Sequence, residues 1–489
     1  MIPSNRRRIT LIAFVTAAMM LAVYMFHDSA IRAGTSLYSS TQAPQQQAPA
    51  TATGAGVLKD VEAQKKQIEE LKKEVEKLRD SISKHKDMPK TTMSDPDAKK
   101  KQKDEACKDV VRNIDYYHSV NHEQFWQHAS PQVWADQIRA WRSYMDSAPS
   151  WESVSAKHEM KDRGIVIAGG NGDTLDRTKV TLRMLRELNS TLPVEVHYIR
   201  GELGKPEIEK LKELGATPRD LSDESNLFTV QKVVGKEKNF HIKSAAMINS
   251  GFEEILYLDS DSMPVRDPRY LFGYEEYEKT GTMFWPDYWK THKENPIWDI
   301  LDAPCADEWE QESGQVLLNK RTNWKPLLLA NYMSMHSEFY FQLINGDKDT
   351  LRFAHKALKM EYFMVPKFLT AGGLIWDERF CGHTMIQHDP DDAPMFVHAN
   401  LLKEFPRDRL NPDTESNTGK GVFRTFKMYT VSRGNTWLKP RFYVSSGGQN
   451  CMEIDAGAGE PDIREESFEN LVPGWNAFYK RNGGKGGGR

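Results

Sequence analysis

Cysteine is scarce in this chain of 489 residues: four, at positions 107, 305, 381 and 451. None sits in a C-x-x-C spacing, which argues against a structural zinc site. An excess of charge is also missing. Sixty-six Lys and Arg against 69 Asp and Glu leave a net charge of −3, which argues against a nucleic-acid binder. The phosphate-binding fingerprints are absent too. The cluster Gly169-Gly170-Asn171-Gly172-Asp173 has neither the Lys-Ser/Thr ending of a Walker loop nor the G-x-G-x-x-G spacing, and it reads equally as a tight turn or a nucleotide contact.

One apolar run stands out, the uncharged stretch from Ile9 to Phe26 behind Arg6-Arg7-Arg8. Its length is at the lower end of what spans a bilayer. Three arginines ahead of it place the N-terminus in the cytoplasm. A cleaved signal peptide has the same basic start, but this run exceeds the usual apolar region, and His27-Asp28-Ser29-Ala30 is a poor cleavage site. The expectation is a cytoplasmic tail (1–8), an uncleaved signal anchor (9–26) and a luminal remainder, in a thin early-secretory membrane. The four cysteines then lie in an oxidising lumen, with room for one or two disulfides whose pairing the sequence leaves open. Asn189-Ser190-Thr191 is a glycosylation sequon consistent with that side.

Residues 27–104 read as a stem. Gln, Ala, Pro, Thr, Ser and Gly dominate 34–56, a composition that buries too little apolar surface to fold. Val61, Ile68, Val75 and Ile82 then recur every seven residues, with Val57, Leu71 and Leu78 in the second seam and Gln64 as a polar break. This predicts a coiled coil over about 57–85, and its β-branched seam paired with Leu favours a homodimer. A single solvated helix is the plainer alternative.

From 105 onward the chain reads as one luminal domain with a core over about 160–405. Gly164–Ala168 and Val194–Ile199 are strand signals, with a helix over 178–188 between them. A helix near Ile208, Leu211 and Leu214 and another over 241–250 precede Ile255-Leu256-Tyr257-Leu258-Asp259-Ser260-Asp261. That alternation predicts an α/β fold with a mainly parallel sheet covered on both faces. Further strands are expected at 282–285 and 313–318, helices at 324–343 and 351–358, and a strand at 395–398.

The run ending at Asp259 and Asp261 carries the chemistry. Ligands of open α/β sheets bind outside the carboxyl ends of the strands. Two acids placed there repel unless a cation with oxygen ligands resolves the conflict, and such a cation typically sits on one or two carboxylates plus substrate phosphates. Alone, Asp-x-Asp reads more readily as a solvated acidic turn after a strand. His398 ends a second apolar strand; imidazole suits Mn²⁺ better than Ca²⁺ or Mg²⁺. Lys403 follows as a point charge for a diphosphate. Gly314 suits a backbone passing close to a bound sugar, and Gln315 can bond its hydroxyls. Asp347 and Asp349 precede a helix, where either can be an N-cap.

Together these segments resemble the fungal α-mannosyltransferases of glycosyltransferase family seventy-one, over roughly 160–405. The resemblance rests on the order Tyr257-Leu258-Asp259-Ser260-Asp261-Ser262-Met263-Pro264, Glu312-Ser313-Gly314-Gln315, Gly346-Asp347-Lys348-Asp349-Thr350 and Phe396-Val397-His398-Ala399-Asn400. It implies a GT-A fold, a Rossmann-like nucleotide-diphosphosugar transferase domain, on a type II Golgi membrane protein. It implies metal ligands Asp259, Asp261 and His398 for Mn²⁺ or another divalent cation. Donor contacts would be Lys243, Asp259, Asp261 and Lys403, with Asp347, Asp349 and Gln315 where donor and acceptor sugars meet. The implied reaction moves mannose from GDP-mannose to a mannosylated glycoprotein with retention, α-1,2 ahead of α-1,3. A UDP-sugar donor and a non-catalytic glycan-binding tether are the alternatives. Residues beyond 405 match no pattern, and 483–489 read as a frayed tail.

Overall fold

The computed structural model describes residues 123–157, 160–231, 241–376, 378–405, 421–429, 439–446, 448–455 and 463–486. The anchor expected at 9–26 and the coiled coil expected at 57–85 lie outside these residues. Among the described residues, no helix is long and apolar enough to cross a membrane.

Strands β1 (Lys161–Ala168), β2 (Val194–Tyr198), β3 (Ala216–Asp220) and β4 (Phe252–Asp259) are linked by helices α1 (Gly172–Glu187), α2 (Lys205–Glu213) and α3 (Ile242–Asn249). Further on come β5 (Ser262–Pro264), β6 (Thr282–Lys290) and β7 (Trp309–Asn319). Six of these strands make the central sheet in the order β3-β2-β1-β4-β7-β6. The first four are parallel; β7 runs antiparallel to both β4 and β6. The order reverses beside β1, because β2 lies on one side of it and β4 on the other. Crevices form at such switch points. The β1–β4 register pairs Ala168 with Asp259, so the glycine turn and the acid pair leave the sheet side by side.

Alternate residues of each strand feed two cores, as the two-residue side-chain period requires. Ile165, Ile167, Leu256, Leu258 and Leu317 pack with Leu182 and Leu185 of α1 and Leu211 of α2. Val166, Ile255, Tyr257, Val316 and Leu318 face Ala245 and Ile248 of α3, with α4 (Lys320–Met335) and α5 (Thr350–Ala357) behind them. Gly215, at φ +76°, follows the C-cap of α2 in the left-handed conformation that glycine favours.

Beyond α5 the strand–helix alternation stops. A second, eight-stranded sheet contains β8 (Thr370–Trp376), β9 (Arg379–His388), β10 (Pro394–His398), β11 (Thr425–Tyr429), β12 (Lys439–Val444), β13 (Asn450–Asp455) and β14 (Ile463–Ser467), together with β5. Its pairings are antiparallel. The folded region therefore runs past 405, where the sequence offered no pattern. A disulfide joins Cys381 in β9 to Cys451 in β13. Cys305 is disulfide-bonded as well.

Helix α6 (Trp475–Arg481) packs against α1. Arg481 Nε and Asn482 Nδ2 both donate to the Glu187 carboxylate, at 2.6 and 2.7 Å. The frayed tail expected from 483 does not begin there. Tyr479 donates to the Lys485 carbonyl at 2.8 Å, and Lys485 Nζ lies 3.1 Å from Asp176.

Candidate active site

Strand β4 carries Asp259 to the edge of the sheet, and a two-residue turn delivers Asp261. The chain then enters β5, whose antiparallel partner is β10, with Ser262 opposite His398. The amide of Ala399 donates to the Asp261 carbonyl at 2.9 Å, closing the ladder next to the acid. This pairing, between segments far apart in sequence, brings His398 to the acids. Ligand atoms of Asp259, Asp261 and His398 all lie within 4.8 Å of one another. Five residues on, a single 3-10 turn (Leu402–Glu404) aims Lys403 Nζ at Asp261 Oδ2, 2.8 Å away.

Each acid has a cation of its own. Lys243, in the first turn of α3, bridges Asp259 and Asp347, its Nζ 2.9 Å from a carboxylate oxygen of each. It also donates to Ser313 Oγ at 3.1 Å. The Tyr257 hydroxyl donates to Asp259 Oδ1 at 2.9 Å. The two carboxyls of the pair are driven apart. Burial raises the Asp259 pKa, and the neighbouring Asp261 charge adds to that against the opposing pull of Lys243. Burial acts on Asp261 in the same sense, but Lys403, His398 and Arg177 outweigh it and hold that carboxyl well below its usual range. Burial pulls the His398 imidazole down, yet Glu312 and Asp261 push it up to about 10. These groups satisfy one another as ion pairs.

The donor set fits a transition-metal cation. Two carboxylates that line a cavity and one imidazole buried beside them offer hard and borderline ligands. The Nδ1 of the buried His398 lies 3.1 Å from Glu312 Oε1, in an ion-pair contact without a well-aligned hydrogen bond. His398 Nε2 faces Asp261 Oδ1 at 3.3 Å, so the ring presents one nitrogen to the acids and the other to Glu312. Metal-bound histidines are held in this manner.

A cavity of about 330 Å³ opens over Asp259 and Asp261, and Gly169, Gly170, Lys243, Asp347 and Lys403 also line it. The glycine turn thus borders the candidate nucleotide site. Its lack of side chains has a packing cause. A Cβ at Gly169 would fall 2.3 Å from Thr178 Oγ1, and one at Gly170 2.3 Å from Glu202 Oε2. Asn171 caps α1, its Oδ1 accepting from the Thr174 amide at 3.0 Å.

Not every expected residue reaches this cavity. Asp347 does. Asp349 is turned away, 1% exposed, at φ +72°. Its carboxylate accepts from Arg352 Nε and Nη2 at 2.6 and 2.9 Å and from the Gln311 amide at 2.6 Å. It is the residue preceding α5, but its side chain caps nothing there. Gln315 is fully buried beneath the site. It accepts from Ser262 Oγ at 3.1 Å and donates to Glu312 Oε2. Gly314 makes room for a different neighbour from the sugar its residue type suggested: a Cβ there would lie 2.4 Å from His398 Nδ1. Asn189 is exposed at the turn that follows α1.

The sequence reading missed Glu312, Tyr257 and Arg177. Glu312 and Tyr257 stand within the segments that carried the resemblance, so that signal was available. Arg177, one turn into α1, contacts Ser260 Oγ at 3.4 Å and pairs with Asp173, and nothing local in the sequence marks it.

Comparison with known proteins agrees with this geometry. The family model for mannosyltransferases matches residues 162–308 and 306–389, which contain Asp259, Asp261 and Asp347. The alpha-1,2-mannosyltransferase MNN2 of Saccharomyces cerevisiae is 26% identical over 306 residues, 53% of this chain and 50% of the relative. MNN21 of Candida albicans, also an alpha-1,2-mannosyltransferase, is 28% identical over 302 residues, 48% of this chain and 44% of the relative. MNN2 of Candida albicans is 23% identical over 414 residues, 68% of this chain and 67% of the relative. The chain spans about half the length of the first two. On these matches, residues 162–389 are similar to the mannosyltransferase family and the chain to fungal alpha-1,2-mannosyltransferases.

Proposed function

We propose that this chain is a divalent-metal-dependent, retaining α-mannosyltransferase of the GT-A type. It would move mannose from GDP-mannose to a mannose hydroxyl of a glycoprotein glycan, with α-1,2 linkage ahead of α-1,3. The observation that carries this reading is the meeting of Asp259, Asp261 and His398 within 4.8 Å beside a cavity that also holds Lys243, Asp347 and Lys403. The relatives are α-1,2-mannosyltransferases by name, which favours that linkage.

Asp259, Asp261 and His398 would hold Mn²⁺ or a similar cation. When bound, the cation supplies charge neutralisation for the leaving diphosphate. Lys403, which pairs with Asp261 at the mouth of the cavity, would offer its ammonium to a phosphate oxygen. Lys243 holds the Asp347 carboxylate in place, so that Asp347 would accept hydrogen bonds from hydroxyls of the donor mannose. Among the described residues, no carboxylate pair in the cavity is free to serve as nucleophile and acid. Asp347 is held by Lys243, and Glu202 accepts from the Ile199 amide at 2.9 Å. The donor C1–O bond therefore breaks on the face where the acceptor oxygen forms its new bond. The acceptor proton passes to the departing diphosphate, which leaves as GDP.

The same reading puts the catalytic domain in the Golgi lumen, held by residues 9–26, with glycan on Asn189 and self-association through 57–85. Protease protection in sealed microsomes tests the topology, and digestion of the domain without detergent would refute it. The reaction is tested by incubating residues 105–489 and Mn²⁺ with GDP-mannose or UDP-sugars and an α-mannoside. Mannose transfer from GDP-mannose is expected. Transfer only from a UDP-sugar would replace the donor, and neither transfer nor slow donor hydrolysis would leave a glycan-binding module.

A further inference from the structure

A second cavity, of about 290 Å³, lies against the first and shares Arg177, Ser260, Asp261 and Lys403 with it. Packed elements build it. Helix α1 forms one wall, the loop from Ala399 to Lys403 another, and the docked C-terminal segment from Tyr479 to Lys485 a third. Val180, Met263, Leu402 and Tyr479 give it a largely buried apolar floor.

Its charges do not balance. Arg177, Lys179, Arg183, Lys403 and Lys485 line it against Asp173, Asp176 and Asp261, which leaves two positive charges unmatched. Asp176 is shared by Lys179 at 3.5 Å and Lys485 at 3.1 Å, two cations on one carboxylate. Arg183 donates to the Asn482 carbonyl at 3.0 Å, and no carboxylate among the described residues lies within ion-pair distance of it. Metal bound at Asp261 would enlarge the excess. Cations over an apolar floor fit an amphipathic anion. A guanidinium matches phosphate oxygens in pairs, and the ring of Tyr479 offers an apolar surface to a sugar.

We infer that this cavity is a second binding site, adjoining the donor cavity, for the phosphate monoester of a sugar. The phosphate sits among Arg183, Lys179 and Lys485, and the pyranose on the Tyr479 side. The inference goes beyond the proposed reaction and survives its failure, because three of the cations lie outside the donor cavity. Free sugar phosphate and a phosphorylated glycan end share this chemistry.

Calorimetric titration of the full chain tests it with mannose 6-phosphate, 6-phosphorylated mannobiose, mannose and inorganic phosphate, each with and without saturating GDP and Mn²⁺. Both phosphorylated sugars are expected to bind in either condition, and mannose and phosphate at least tenfold more weakly. A clear preference for the disaccharide identifies a glycan end; equal binding identifies the free sugar phosphate. Arg183→Gln and the exposed Lys485→Gln should each weaken binding about tenfold, while the affinity for GDP stays unchanged. Absence of binding, displacement by GDP, or full affinity in both variants would overturn the site. Failure of GDP itself to bind would instead count against the proposed transferase reaction.

Discussion

Glu312 holds His398 from behind, its Oε1 3.1 Å from Nδ1, while the opposite ring nitrogen faces Asp261 at 3.3 Å. The contact belongs to a closed circuit. Glu312 accepts from the Gly314 amide at 2.7 Å and from Gln315, Gln315 accepts from Ser262, and Ser262 lies opposite His398 across the β5–β10 ladder. The carboxylate fixes both the rotation of the ring and the nitrogen that stays free for a ligand.

Glu312→Gln is therefore expected to weaken Mn²⁺ binding by about 10- to 100-fold, the usual cost of losing such a partner. Electron paramagnetic resonance of Mn²⁺ added to the protein without substrate measures this directly. Gly314→Ala should act on the same readout by a different cause, since its methyl group would displace the His398 ring. Unchanged Mn²⁺ affinity in both variants would show that the circuit does not position the ligand.

Asp347 and Asp349 should separate in a single pair of experiments. Asp349→Ala strips the fully buried Arg352 of a two-bond partner. Breaking a buried pair from one side costs about 3–5 kcal/mol. A large drop in melting temperature is expected, with Glu308 left as the remaining acidic partner of Arg352. Asp347→Asn should leave the melting temperature nearly unchanged and abolish most turnover. The reverse pattern would exchange the roles assigned to the two acids.

Lys403 contributes to donor affinity in this account. Lys403→Met removes a charged contact worth about 1.5–3 kcal/mol, roughly 10- to 100-fold in the dissociation constant for GDP in the presence of Mn²⁺. Fluorescence titration with GDP reads the effect, and wild-type affinity in the variant would remove Lys403 from the diphosphate site.

Acid should destabilise the fold through three buried histidines away from the metal site. Burial depresses His355, His383 and His388 to about 4 each. Unfolded histidines titrate near 6.5. The unfolded chain therefore binds more protons between these values, and stability is lost as pH falls from about 6.5 toward 4. His388 contacts Thr370 Oγ1 at 2.9 Å and the Asp392 carbonyl at 3.0 Å. In His388→Gln the melting temperature should fall less steeply over that range than in wild type. An equal slope would locate the acid sensitivity elsewhere.

The sequence displayed the first half of this architecture because its strands are buried on both faces. Ile165 to Ile167 and Ile255 to Leu258 read as continuous apolar runs, and the acids ending the second run were conspicuous. The second sheet was hidden for the opposite reason. Strand β14 is Ile-Arg-Glu-Glu-Ser, with no buried residue, and antiparallel pairing and the Cys381–Cys451 link carry information that no local window contains. His398 was visible as a residue type at a strand end, whereas its route to Asp261 through β5 was not. Asp349 misled because an acid next to a presumed site attracts a catalytic role, while its neutralising partner, Arg352, stands one helical turn further along the chain.

The most direct measurement of the central claim is mannose transfer from GDP-mannose to an α-mannoside as a function of Mn²⁺ concentration, for wild type, Asp261→Asn and His398→Ala. Wild-type activity should vanish on exhaustive chelation and return with Mn²⁺. Asp261→Asn, nearly isosteric but without the charge, should stay folded and lose most metal affinity; His398→Ala should need more Mn²⁺ but lose less. Wild-type transfer that survives chelation, or an Asp261→Asn enzyme with unaltered Mn²⁺ dependence, would contradict the account.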